Sequence, residues 1–171
     1  MGINTTVQPS VGMDSNLLIL CSLASNLPTD LTTVKVSDLA KATAVDVTYA
    51  LTTDGFKEGV KEDTVTDDRL ALVGVLAQPG RVTEDLTVRY VFGSANDVAD
   101  PLLVPGATVV YAVRRAVPHD QALAAGDKFD YFPVKCGQKQ NDAYSANAKF
   151  TRTQAMYPQA LAKRNVPLLA A

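Results

Sequence analysis

Along most of the chain, apolar and polar residues alternate with a period of two, the pattern of strands that bury one face. In "DLTVRYVF" (85–92), Leu86, Val88, Tyr90 and Phe92 oppose Thr87, Arg89 and Val91. In "VDVTYALT" (45–52), Val45, Val47, Tyr49 and Leu51 oppose Asp46, Thr48, Ala50 and Thr52. "ATVVYAVRR" (107–115) sets Val109, Tyr111 and Val113 against Thr108, Val110, Ala112 and Arg114. "KFDYFPVKC" (128–136) and "NAKFTRTQAMY" (147–157) continue the pattern less regularly. These segments are rich in Val, Thr, Tyr and Phe, which suit a pleated, half-buried surface. Turn signals separate them: Asp54-Gly55, Gln78-Pro79-Gly80, Pro105-Gly106, Gly126-Asp127 and Cys136-Gly137. Helix is scarce. "SANDVADPLL" (94–103) predicts one short helix, capped by Ser94 or Asn96 and ended or kinked by Pro101. "HDQALAAGD" (119–127) predicts at most one further turn, closed by Gly126. Closely spaced strands with little helix predict a mainly β fold, a sandwich or barrel with one short flanking helix.

The chain has 171 residues without an internal repeat, enough for one domain over 1–171 with flexible N- and C-terminal arms. Hydrophobic residues make up 47% and charged residues 20%, ordinary globular usage rather than disorder. A formal charge of -2 leaves no basic field to hold nucleic acid. The longest apolar run, "LLILC" (17–21), is far short of the roughly 20 residues of a membrane span. The opening "MGINTTVQPS" lacks the basic and apolar regions of a secretory signal. Cys21 and Cys136 each sit in an apolar strand-like segment and read as two reduced core thiols.

The alternation breaks at residues 52–70, "TTDGFKEGVKEDTVTDDRL". Between Asp54 and Arg69 stand six acids and three bases, with Phe56, Val60 and Val65 the only large apolar side chains. Such a stretch buries too little apolar surface to offset an ordering entropy of roughly 1–2 kcal/mol per residue. The expectation is a long inter-strand loop over 53–69, mobile in an isolated subunit. Composition alone leaves two readings equal: a solvated loop without a role, or an arm that orders when a partner supplies contacts.

Chemistry is thin elsewhere. His119 is the single histidine, and Asp120 beside it is a poor general-base partner, because adjacent residues in an extended chain point apart. One histidine and two cysteines cannot form a Cys/His zinc site within one chain. The acids of "KEDTVTDD" (61–68) lack the ligand order and central glycine of an EF-hand loop. Neither a phosphate-cradling glycine loop nor a nucleophile elbow is present in the sequence. The expectation is therefore no catalytic residue, no metal and no cofactor.

The collinear series "YALTTDGF", "TVTDDRLA", "QPGRVTEDLTVRYVF", "LVPGATVVYAVRR", "AAGDKFDYFPVKCG" and "ANAKFTRTQAMY" resembles the major tail tube proteins of long, non-contractile-tailed bacteriophages. Those of actinobacterial phages are the nearest likeness. The resemblance spans residues 34–157, and "NTTVQPSVGMD" (4–14) is in keeping with it. Segment 94–104 is shorter than the helix-bearing connection of that family. The resemblance implies a β-sandwich virion protein that forms hexameric rings stacked into a hollow tube. It implies the tape-measure protein in the lumen before ejection, passage of double-stranded DNA without specific binding, and tail terminator and tail-tip proteins at the ends. It places the protein in the phage tail after synthesis in the host bacterial cytoplasm, without a membrane. It also implies that the long loop reaches the neighbouring ring, which makes Phe56, Lys57, Glu58, Lys61, Glu62, Asp63, Asp67, Asp68 and Arg69 candidate assembly residues. A passage for DNA should not grip phosphate, so its lining is expected to carry Thr, Ala and acids rather than Lys and Arg. Two alternatives stand beside this reading: a monomeric β-sandwich recognition module, for instance for carbohydrate, and a tube subunit of a contractile or secretion apparatus. Aromatic residues at 6% and the absence of tryptophan weigh against the first.

Overall fold

A computed structural model describes residues 11–67 and 76–170. Eight strands form one antiparallel sheet: β1 (Leu17–Leu23), β2 (Val45–Asp46), β3 (Leu51–Asp67), β4 (Leu76–Val91), β5 (Thr108–Arg115), β6 (Lys128–Asn141), β7 (Thr151–Pro158) and β8 (Lys163–Pro167). The order is β2-β1-β5-β6-β7-β4-β3, with β8 also pairing the start of β6. The sheet folds over itself. Ile19, Cys21, Val109, Tyr111, Val113 and Phe132 from one half pack against Leu86, Val88, Tyr90 and Met156 from the other. A second core lies behind the first half, where Leu18, Leu20, Val110, Ala112, Phe129 and Tyr131 meet Leu27, Leu31, Val34, Leu39, Val166 and Leu168. The mainly β, sandwich-like expectation holds.

Double coverage changes β5. Thr108, Val110, Ala112 and Arg114 read as its polar side, yet only Thr108 is exposed, and Arg114 is completely buried. The Arg114 guanidinium donates to Asp127 at 2.9 Å and to the carbonyls of Pro118 and Gln121 at 3.1 and 2.7 Å. Those bonds replace the water given up by its two terminal nitrogens, while Nε is buried without a partner, and they fix the connection 116–127, which contains turns but no helix. Gly126 takes φ +91° there. Cys21 and Cys136 are free and buried. Burial pushes the Cys136 thiol up to about 11, which keeps it protonated and unreactive at neutral pH.

Three local expectations need correction. The single strand predicted over 45–52 is broken. The Asp46 carboxylate accepts from the Thr48 amide and hydroxyl at 2.9 and 2.6 Å, so the chain turns, keeping Val47 in the core and placing Tyr49 in solvent. The helix predicted over 94–103 is a series of turns. Asp97 accepts from the amides of Gly93 and Asp100, and Ser94 from that of Asn96, so these side chains compete with helical bonding instead of capping it. The flanking helix is α1 (Val36–Leu39), a single turn closed by the Lys35 amide on Asp38 at 3.1 Å, with Leu39 in the second core.

The third correction concerns the long loop. As far as Asp67 the chain is strand, paired with β4 in register from Phe56↔Val88 to Asp67↔Leu76. Pro79 and Gly80, read as a turn, lie inside β4 at an irregularity opposite Asp63 and Thr64. A β-carbon at Gly80 would come within 2.8 Å of the Asp63 carbonyl, so this bulge requires glycine. A second irregularity between Leu51 and Phe56 brings Gly55 against the Arg89 carbonyl, again with no room for a β-carbon.

Candidate assembly surface

The β3–β4 hairpin has a packed root and a bare arm. At the root, Phe56 meets Tyr111 and Phe132 edge-to-face, each with centroids 5.5 Å apart. Glu58 accepts from Arg115 at 2.7 Å and from Arg164 at 2.8 Å. Arg115 also pairs with Asp130, and Arg164 reaches Glu84 at 3.4 Å. Glu84 in turn accepts from the Ala162 amide at 2.7 Å. This carboxylate–guanidinium net ties the hairpin to β5, β6 and the segment entering β8. It raises the Arg164 pKa further, chiefly through the bond to Glu58.

Beyond Glu58 and Glu84 the packing ends. Every residue from Val60 to Thr66 is exposed, as are Ala77, Gln78, Pro79, Arg81, Val82 and Thr83. Side chains alternate across a strand, so both faces of this ribbon meet solvent. Val60 and Val65 are 58% and 57% exposed, and Val82 is exposed too. At about 3.3 Å per residue the stretch from Glu58 to Asp67 projects roughly 30 Å. A lone two-stranded ribbon is marginal in water, so this arm lacks a third layer or a neighbouring strand. It also lies at the sheet edge, where β3 pairs β4 on one side and no strand of the described residues on the other. β6 has a second such edge: beyond Cys136, among the described residues, it has β7 on one side only.

The candidate residues therefore separate. Phe56 and Glu58 belong to the root, Phe56 packed against two aromatic rings and Glu58 held at the surface by Arg115 and Arg164; Lys57, Lys61, Glu62 and Asp63 are on the exposed arm. Asp67 ends β3, and Asp68 and Arg69 lie outside the described residues. Sequence reasoning missed Val82, Glu84 and Arg164. Val82 sits in a segment read as turn and strand, and the Arg164–Glu58 pairing spans 106 positions, with no local signal.

The opposite end of the sheet holds two polar clusters. Asp142 accepts from Thr151 at 2.6 Å, Thr153 at 2.7 Å and Arg89 at 2.6 Å; these bonds, the threonines first, hold its carboxyl below the usual range. Asp100 takes Arg152 at 2.6 Å, Lys139 at 2.9 Å and the Tyr90 hydroxyl at 3.0 Å. Burial pushes Asp100 up, but these three donors outweigh it and leave the pKa lowered. Buried Gln154 donates to the carbonyls of Leu103 and Gly137, closing the connection 92–104 over the core. His119 meets Asp46 at 2.7 Å rather than Asp120, with the Tyr49 ring 4.7 Å away. Among the described residues, no three His, Cys, Asp or Glu side chains converge as metal ligands, and no helix is long and apolar enough to cross a membrane.

A family model described as "Phage tail tube protein" matches residues 7–171. The chain belongs to the phage tail tube protein family. This tail tube protein is a structural component of the virion tail and not an enzyme. Among solved structures, a chain of the cryo-EM structure of the anti-feeding prophage (AFP) baseplate, six-fold symmetrised, is similar in fold. It is 13% identical, with a TM-score of 0.55 and coverage of 92% of this chain and 96% of that one. No curated protein matches the chain.

Proposed function

We propose that this tail tube protein is the repeating subunit of a hollow tube: hexameric rings closed by strand pairing between copies, stacked head to tail. The observation that carries this reading is the 17-residue edge strand β3, which among the described residues has a partner on one side only and an arm exposed on both faces. The portion β6-β7-β4-β3 contains four antiparallel strands, so its edges β6 and β3 run in opposite directions. When β3 of one copy joins distal β6 of the next, alternation is preserved and both edges are satisfied. Such a contact is heterologous; it makes a ring when the rotation closes and a filament when it does not. Closure also removes the edges that an isolated sheet must protect. The six-fold symmetry of the fold neighbour supports six copies.

The outer face of β4 and β7 is the proposed channel lining. It carries Thr83, Asp85 and Thr87 beside Thr151, Thr153 and Ala155. Of its arginines, Arg89 is neutralised by Asp142 and Asp54, and Arg81 is exposed on β4. Such a wall lets double-stranded DNA slide without gripping its phosphates. The tape-measure protein fills the lumen before ejection, and tail terminator and tail-tip proteins cover the ends. The protein is made in the host bacterial cytoplasm, and its source is an actinobacterial phage. The arm residues Lys57, Lys61, Glu62, Asp63, Asp67, Asp68 and Arg69 make the inter-ring contact, on a single domain that spans 1–171.

The test is assembly of the purified full-length chain, followed by light scattering and negative-stain microscopy. Rings or tubes about six subunits around are expected. A second chain, with residues 62–82 replaced by Asn-Gly so that Lys61 and Thr83 close a two-residue hairpin, should stay folded and fail to stack. Persistent monomer of the intact chain at high concentration overturns the proposal.

A further inference from the structure

Two apolar features stand open on the core face of the sheet, away from the proposed channel lining. The first is a groove beside the root of β3. It holds about 180 Å³ between Leu17, Ile19 and Val113 of one half and Phe56 of β3, and continues for about 280 Å³ past Val11 and Met13. Ile19 and Val113 belong to the first core, whereas Val11 and Met13 are 59% and 78% exposed. The second is the tip of the β6–β7 hairpin, residues 142–150. There Tyr144 and Phe150 meet edge-to-face with centroids 5.5 Å apart, and they are 72% and 60% exposed. Phe150 lies 6.2 Å from Phe92, over whose ring the Arg152 guanidinium sits at 3.8 Å. Tyr90 pairs with Arg152, so by alternation Phe92 and Phe150 are on the face that Tyr90 gives to the core. Exposed aromatics grouped in this way are costly to leave in water and are typical of interaction sites.

We infer that the aromatic tip of one copy fills the groove of its neighbour within the same ring. This inference rests on the ring closure proposed above and adds a side-chain contact to it. Strand register sets the level. Leu51, which also lines the groove, pairs with Tyr90, Tyr90 with Arg152, and Arg152 with Asn141, so these four residues form one row across the sheet. Asn141 ends β6 and leads into the tip. When distal β6 of the next copy lies against β3, its tip therefore emerges beside the start of β3, where the groove is. The face agrees, because groove and tip are both on the core side of their strands. The occupant comes from another copy: in a single chain the tip stands at the β6 and β7 end of the row, and no residue of 142–150 lines the groove. The chemistry agrees as well. Tyr144 and Phe150 supply apolar surface for Val11, Met13 and Leu17, while exposed Lys149 at the tip meets the exposed acid Asp14 beside Met13. The contact covers both apolar features at once and adds side-chain burial to a joint otherwise made of backbone bonds.

The experiment is disulfide trapping in assembled full-length protein carrying Gly12→Cys and Ser145→Cys. Both positions are exposed, a β-carbon at Gly12 meets nothing within 4 Å, and every apolar contact is kept. The native thiols Cys21 and Cys136 are buried and stay out of the reaction. Oxidation should give a ladder of linked chains up to about six, because each copy offers one thiol to each neighbour. A mixture of the two single variants should give dimers of one of each kind and nothing larger. Rings that stay unlinked, whether their grooves are open or hold residues 1–10 of the same chain, overturn the contact and leave the ring reading intact. Absence of rings from the wild-type chain overturns both. Tyr144→Ser gives a second readout: the monomer should melt as wild type does, while ring yield falls at least tenfold. Wild-type ring yield from Tyr144→Ser overturns the inference.

Discussion

β5 and the arm of β3–β4 are strands of the same antiparallel sheet with the same backbone bonding, yet one is buried on both faces and the other on neither. Val109 in β5 is 0% exposed; Val60 on the arm is 58% exposed. Burying a valine fully is worth roughly 1.5–3 kcal/mol, whereas a backbone bond nets only about 1 kcal/mol against water. Strand pairing is thus common to both regions, and side-chain burial separates them. β5 completes its environment within one chain. The arm leaves its environment open, and the proposed tube supplies it from other copies.

The comparison fails if trimming the arm costs a monomer as much as trimming the core. The largest expected effect is at the buried ion pair: Arg114→Ala leaves Asp127 without its guanidinium and should lower unfolding free energy by about 3–5 kcal/mol, read by urea titration. Leu86→Ala, at the buried root of β4, should cost about 2–5 kcal/mol by the same measurement. A smaller effect comes from acid. Asp100 and Asp142 have lowered folded pKa values, so their stabilisation is present above the unfolded carboxylate value near 3.8 and is lost as pH falls below it. Melting temperature should drop as pH falls below about 4, and Asp142→Asn should flatten that slope. Val60→Ser is expected to be the least costly, within about 0.5 kcal/mol for the monomer, while weakening stacking measured by sedimentation. A Val60→Ser penalty near that of Leu86→Ala would falsify the division into packed root and bare arm.

How far these regions were legible follows from the same physics. Residues 85–92 alternate cleanly because β4 buries one face there, and Leu86, Val88 and Tyr90 are in the core as their period predicts. In β5 the period misleads, because Val110 and Ala112 fit a solvated face or a second core equally well. The docking of α1, β8 and their connections decides between them. The arm was legible as under-packed but not as strand, since a period-two signal needs one buried face and this ribbon has none. At 94–103 the residues that favour helix caps are spent on turn bonds. Of the candidate assembly residues, Glu58 carries the same charge as Glu62, and only the positions of Arg115 and Arg164 turn it into an anchor.

From residue order alone came the β class, the two reduced thiols, the shortage of catalytic groups and the family likeness, because each depends on local pattern or on side-chain chemistry. Tertiary structure alone decided which strand is covered twice, where the hairpin leaves the core and which cation meets which acid. Those outcomes depend on contacts between segments scores of residues apart, and short-range alternation does not encode them.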